Sequence, residues 1–332
     1  MRFRTACLLL TTVLLIVSAN AEDPKLRERA HALLQKGAAS VADENYHLPS
    51  YHLEAKFKLM ALEQHDIEGQ YVRDFDKPEQ WRSRVSTSDF SEVEVRNGGR
   101  IWRKRSADYV PLRIEQVLRA MPPQFWRLTN TDIVNTIDST KLAGSPATCI
   151  SITIAEGESK TPGRICLEDA TGALLLHERS GYRYQYSKNV TFGKYTLPGH
   201  LEVFDRGIKV AEADLAFSAP GAWNSETFVA PADYESRKVC TRYIAPVLIH
   251  KEVPQFPKLA LQAGMSGIAG MKVHIGVDGH VYKPMITETA GSVLNAAAID
   301  AVKKWTYEPA RCDGEPQDIE TTLRIDFHSL RY

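Results

Sequence analysis

Near the carboxyl end of the chain, Trp305, Thr306, Tyr307, Glu308 and Pro309 close a run whose apolar residues Leu294, Ala298, Ala301, Val302 and Trp305 recur at helical spacing. Lys303 and Lys304 stand where the helix dipole turns negative, and Pro309 is the stop. The chain must then continue as something else, and it does: from Ile319 to Phe327 the alternation is nearly complete. Ile319, Thr321, Leu323, Ile325 and Phe327 fall on one face, and Glu320, Thr322, Arg324, Asp326 and His328 on the other. Upstream, Phe256 and Pro257 open a short helix ending at Gly264, and Val277, Asp278, Gly279 and His280 read as a hairpin turn joining strands at 265–275 and 281–287. A hairpin, a crossing helix and a returning strand give the sheet order second, first, third. Pro284 removes a donor from the second strand's edge. The third strand carries no proline, so its outer N–H and C=O groups are suited to accept an extended peptide as an added strand.

This order resembles the C-terminal domain of the TonB family. The resemblance covers residues 246–328 and rests on Phe256-Pro257, Asp278-Gly279, Trp305-x-Tyr307-x-Pro309 and the final strand. It implies a binding function in which the last strand captures the short box peptide of an outer-membrane transporter, helped by residues beside the aromatic-proline pair. Carried onto this chain, the partner-binding residues are Val253, Gln255, Phe256, Glu320, Thr322, Arg324 and Asp326. Two family features have no counterpart. The N-terminal apolar run lacks the histidine of the Ser-x3-His motor signature, and strand-rich sequence stands where a proline-rich spacer is usual.

The opening residues predict export. Arg2 and Arg4 precede an apolar run from Ala6 to Val17, and Ala19, Asn20 and Ala21 form a small-x-small cleavage site, making 1–21 a signal peptide and the periplasm the expected compartment. The alternative is an uncleaved segment anchoring the chain in the inner membrane, but the run is shorter than the roughly 20 residues of a spanning helix. Lys and Arg together number 41, as do Asp and Glu. That balance is no signature of a nucleic-acid binder.

Residues 22–237 read as a helix at 24–36 followed by many short strands, among them one from Tyr51 with Leu53, Ala55, Phe57, Leu59 and Ala61 on a single face. Asn97-Gly98 marks a hairpin, and residues 112–121 read as an interrupting helix. The Phe57 strand, the Trp81-Arg82 segment and the hairpin from Val95 to Trp102 give this region a resemblance to the LolA and LolB lipoprotein carriers. That resemblance implies a curved antiparallel half-barrel holding a lipid or other hydrophobic ligand, with Leu53, Phe57, Tyr71, Trp81 and Trp102 as groove candidates. Ordinary core packing is the competing reading of these five residues. The fold class is therefore α+β: a curved antiparallel sheet with few helices, then residues 238–332 as a small three-stranded antiparallel sheet with two helices.

Four cysteines follow the signal, and an even number in an exported chain points to disulfides. Of three possible pairings, Cys149–Cys166 joins neighbouring strand-like runs and Cys240–Cys312 clamps the linker onto the last module. The ten histidines show no metal-binding or catalytic spacing, and there is neither a Gly-x-Ser-x-Gly elbow nor a phosphate loop. Tyr182, Tyr184 and Tyr186 form a stripe expected to pack across strands. Neither cofactor nor metal is expected, and the chain reads as a binding protein with no enzymatic activity. Its expected partner is an envelope protein such as a TonB-dependent transporter, with carriage of a hydrophobic ligand as the alternative.

Overall fold

The computed structural model describes residues 23–40, 49–60, 65–122, 128–156, 159–221, 223–224 and 226–328. The expected signal peptide and Ala61 lie outside these. The chain opens with helix α1 (Pro24–Ser40), which continues through Gly37 where the sequence predicts a stop. A first run of strands follows: β1 (Tyr51–Leu59), β2 (Ile67–Lys77), β3 (Gln80–Thr87), β4 (Ser91–Asn97) and β5 (Arg100–Arg105). Helix α2 (Leu112–Arg119) leads to β6 (Ile133–Leu142), β7 (Ser145–Glu156), β8 (Ser159–Glu168), β9 (Leu174–Arg179) and β10 (Tyr182–Ser187). A small hairpin, β11 (Val190–Phe192) with β12 (Tyr195–Leu197), precedes β13 (His200–Asp205), β14 (Ile208–Ser218) and β15 (Glu235–Lys238).

Thirteen of these strands form one antiparallel sheet in the order β15-β5-β4-β3-β2-β1-β14-β13-β10-β9-β8-β7-β6. Two meanders are thus joined side by side where β1 meets β14. The period-two pattern decides which side is covered: Leu53, Ala55, Phe57 and Leu59 are buried together with Ile114 and Val117 of α2 and Ala30 and Leu34 of α1. Gly69 lies opposite Phe57, whose ring occupies the space a side chain would need.

The rest of the chain builds a second, smaller core. Strand β16 (Tyr243–Ile244) and strand β17 (Val247–His250) lead to helix α3 (Lys258–Gln262). Strands β18 (Ile268–Ile275) and β19 (Val281–Glu288), helix α4 (Ser292–Val302), β20 (Thr306–Glu308), β21 (Arg311–Cys312), β22 (Glu315–Pro316) and β23 (Ile319–Asp326) follow. The central sheet has the order β19-β18-β23, with β18 in the middle as its pattern predicts. Met271, Val273, Ile275 and Ile325 pack with Leu294, Ala298 and Val302 of α4. Among the described residues, no helix is long and apolar enough to cross a membrane.

Helix α4 is shorter than predicted. It ends at Val302, and Trp305 already lies beyond its closing turn, held by its N–H to Val302 O at 3.0 Å. Residues 306–308 are strand, paired with β17, so Pro309 does not act as the stop. The reason lies at the Asp278-Gly279 turn. Tyr307 N–H donates to Gly279 O at 2.9 Å, and a Cβ placed on Gly279 would fall 2.0 Å from Tyr307 O. Gly279 also has φ +78°, a region unfavourable to other residues. The glycine turn and the Trp-x-Tyr run occur together because one backbone rests on the other. Gly279→Ala is expected to lower stability by about 2 kcal/mol or more, read as a fall in the urea midpoint; an unchanged midpoint would contradict this packing.

Candidate partner-binding edge

Strand β23 lies at the edge of its sheet, and the ladder shows which of its backbone groups remain outside. Phe327 N–H donates to Gly267 O at 2.9 Å, one step beyond the Ile268–Asp326 pair. Bonded and non-bonded pairs alternate in an antiparallel ladder, so Ile319, Thr321, Leu323 and Ile325 direct their N–H and C=O groups to β18. Glu320, Thr322 and Arg324 direct theirs away from it. Among the described residues, no strand pairs on that side.

The opposite edge is closed. Pro284 has no N–H to offer, and Lys283 sits at φ +48° beside irregular pairing of β18 with β19. The Lys283 carbonyl accepts a hydrogen bond from Tyr109 Oη at 2.8 Å.

Tyr109 belongs to a clamp that holds the large sheet over the polar face of the small one. Lys272 Nζ donates to Val110 O at 2.9 Å and pairs with Glu115 Oε2 at 2.5 Å. Lys283 Nζ pairs with Asp108 Oδ1 at 2.5 Å. Arg103 reaches Glu320 Oε1 at 2.8 Å, and Arg105 bonds the same carboxylate. Burial raises the Glu320 carboxyl, but the Arg105 hydrogen bond and both guanidinium charges outweigh it and hold it below the usual range.

The partner-binding candidates thus differ in their surroundings. Glu320 is engaged by Arg103 and Arg105, and Arg324 pairs with Glu288 at 2.8 Å across Gly270. Their side chains are consumed within the chain while their main-chain groups point outward. Thr322 is exposed, and the Asp326 carboxylate accepts the His328 N–H at 2.8 Å. Phe256 meets Phe327 edge-on, with ring centroids 5.7 Å apart, which brings the 253–256 segment to the far end of β23. Val253 and Gln255 are exposed beside it. Trp305 Nε1 donates to Glu252 O at 2.8 Å and fixes the segment's approach.

The groove candidates are placed differently. Leu53, Phe57 and Tyr71 are almost fully buried among core neighbours. Trp81 lies beneath the Arg73 guanidinium at 4.2 Å, and Trp102 on β5 is in register with Ser236. An apolar cleft of 480 Å³ does open nearby, lined by Leu59, Ile67, Phe90, Leu112 and Ile114, none of them among the five. Of the tyrosine stripe, Tyr184 and Tyr186 are buried, and Tyr184 Oη donates to Gln116 Oε1 at 2.6 Å. Their strand neighbours on β13 are Val203 and Leu201, so the stripe packs on aliphatic residues there. Both disulfides form as paired above, Cys149–Cys166 between β7 and β8 and Cys240–Cys312 between the end of β15 and β21.

His200, Glu202 and Glu212 come close enough together to suggest a metal site. Lys209 Nζ bridges the two carboxylates at 2.5 and 2.6 Å, so an ammonium group already supplies the positive charge there.

These features define a class: a two-module β protein that keeps one edge strand open and the facing one shut. Residues 252–329 match the family model of the Gram-negative bacterial TonB protein C-terminal. Over 80 residues the chain is 30% identical to the protein tonB2 of Pseudomonas aeruginosa, covering 24% of this chain and 30% of that one. Identity to the protein TonB of Vibrio cholerae is 27% over 84 residues, covering 25% of this chain and 34% of that one. The matched stretch is thus about a third of the length of these relatives. Among solved structures, a LolA superfamily protein from Nitrosomonas europaea aligns with 60% of this chain and 97% of its own, at 10% identity and a TM-score of 0.40.

One buried group makes the clamp region sensitive to pH. Glu92 on β4 stands opposite Arg105, and burial with the neighbouring Glu94 charge pushes its carboxyl up to about 7. A carboxyl raised in the folded state favours folding below its unfolded pKa and loses that contribution as pH rises through 7. Glu92→Gln should therefore be more stable than the parent chain near pH 8.5, by about 2 kcal/mol, and differ far less near pH 4. Parallel urea titrations at the two pH values check this, and an equal difference at both would refute it.

Proposed function

We propose that this chain is a periplasmic binding protein in which the β23 edge captures an extended segment of an envelope partner by strand addition, in the service of transport across the outer membrane. The observation that carries the reading is the outward row of main-chain groups at Glu320, Thr322 and Arg324, beside an opposite edge that is shut. Main-chain bonds give affinity in this mode, and alternate side chains give selectivity. Arg324 and Glu320 are already spoken for, so Thr322 and the exposed Val253 and Gln255 are left to read the incoming side chains. The similarity to TonB proteins over this same stretch makes a TonB-dependent outer-membrane transporter the favoured partner. Residues 1–21 act as the export signal, and the junction near Lys238 separates the sheet that holds from the sheet that binds.

Thr322→Pro tests the reading, because the lost N–H belongs to the open edge and not to the β18 ladder. The variant should keep the parent's thermal melt yet bind a synthetic transporter box peptide at least about tenfold more weakly. Equal affinity with the fold intact would remove strand addition from consideration.

A second reading rests on the apolar cleft between β1, β2 and α2, where a hydrophobic ligand would be carried. It predicts lipid co-purifying with the protein, detectable by mass spectrometry, and reduced when Leu112 is changed to Glu at the cleft's rim. Protein that is free of lipid and takes none up from vesicles would exclude it.

A further inference from the structure

The outer edge of β15 is also incompletely paired. Val239 N–H donates to Gly99 O at 2.8 Å, one step beyond the Lys238–Arg100 pair. By the same alternation, Glu235 and Arg237 bond β5 while Ser236 and Lys238 turn their main-chain groups the other way. That way leads to the small sheet: Gln317 Nε2 donates to Lys238 O at 3.4 Å, two residues before β23 begins. Between the two strands lies a groove of 750 Å³, with β15 along one side and residues 317–320 along the other.

We infer that a segment added to β23 runs on past Glu320 into this groove, so that β15 is a second wall of the binding site and the large sheet takes part in recognition. The inference rests on the proposed use of the β23 edge. Both walls are fixed in place, by the Cys240–Cys312 bond at one end and by the Arg103 and Arg105 contacts to Glu320 at the other. The groove's charges are largely matched internally: Lys238 pairs with Asp313 at 3.0 Å, Arg237 with Glu94 at 3.7 Å, and Asp318 with His274 at 3.1 Å. A strongly charged occupant would therefore find little net field to hold it. What the walls do offer is the Ser236 main chain and apolar surface, with Tyr243 53% and Val277 57% exposed. The fitting occupant is an extended, near-neutral peptide segment carrying an aliphatic or aromatic residue beyond the part that pairs with β23.

The test uses the full exported chain and two synthetic peptides from one transporter's box region, about five and about ten residues long, the longer extending beyond Glu320 at the usual rise of a strand. The longer peptide should bind about tenfold more tightly than the shorter. Ser236→Pro removes an N–H that β5 does not use, and it should abolish that advantage while leaving the shorter peptide's affinity as in the parent chain. Tyr243→Ala should reduce the advantage in the same way. If both peptides bind the parent chain equally well, or if Ser236→Pro leaves the advantage intact, the groove has no part in capture and the β23 reading stands alone. If neither peptide binds, the β23 reading fails and the inference fails with it.

Discussion

In the ladder between β18 and β23, side-chain parity and hydrogen-bond parity fall on the same residues, and the rest of the molecule's organisation follows from that coincidence. The odd-numbered residues from Ile319 to Ile325 bond β18 with their main chain and face the α4 core with their side chains. The even-numbered residues do neither. Glu320 and Arg324 spend their charges on the covered polar face, while their amide and carbonyl groups remain at the rim. Because neighbouring residues alternate on both counts, a shift of register by one residue would bury these charges and break the core together.

The polar face is a poor surface to leave bare and a poor surface to bury dry, and the large sheet settles the conflict by supplying matched partners. Lys283 with Asp108 is exposed, and such a pair, screened by water, adds little to stability. Lys272 with Glu115 and the two arginines with Glu320 are more enclosed, so removing one partner would strand a charge that water reaches badly. The clamp is therefore better seen as fixing orientation than as a large source of stability. The Cys240–Cys312 bond closes a separation of 72 residues; constraint of the unfolded chain by a loop of that length is worth about 4 kcal/mol in the entropy model. Covalent and ionic ties thus join the large sheet's edge region to the small module at two places, Cys240 just past β15 to Cys312 on β21, and Arg103 and Arg105 of β5 to Glu320 on β23.

The elements legible in the sequence were those with an alternating apolar face or with turn residues marking their ends. Strand β1 follows the period of its apolar residues, the α3 helix and the β18–β19 hairpin are marked by Phe256-Pro257 with Gly264 and by Asp278-Gly279, and the sheet order followed from a single handed crossover. Strand β6 was not legible, because as the outermost strand of the large sheet it presents Asn135, Thr136, Asp138 and Ser139 with no apolar alternation. The end of α4 was misread because Trp305 continues the helical spacing while its backbone obeys a contact to the turn below, through Tyr307 and Gly279. The open edge could be named from the absence of proline in β23. Its companions could not: Arg103 and Arg105 reach it from 215 or more residues away, and the only local signal was the basic run Arg100-Ile101-Trp102-Arg103-Lys104-Arg105 on a strand whose neighbour was unknown. Ser236 gave no signal at all, since its importance lies in where a main-chain N–H points.

An exposed strand edge invites unwanted pairing, and proteins usually blunt it. The edges here are treated unequally. β19 is closed by Pro284, by the turned-out Lys283 and by the Tyr109 hydroxyl. β15 is only four residues long and all four are exposed and polar or charged. β6 is long but polar, with Lys141 near its end. β23 alone among these combines eight residues, no proline and an apolar inner face that fixes its register. The Glu320 charge has been drawn off to the clamp and the Arg324 charge to Glu288, which weakens the usual electrostatic guard of an edge without adding anything to block the main chain. A strand left in that condition would be a liability in isolation; held rigid by the sheet behind it and bordered by a second short edge, it has the form of a template for one further strand.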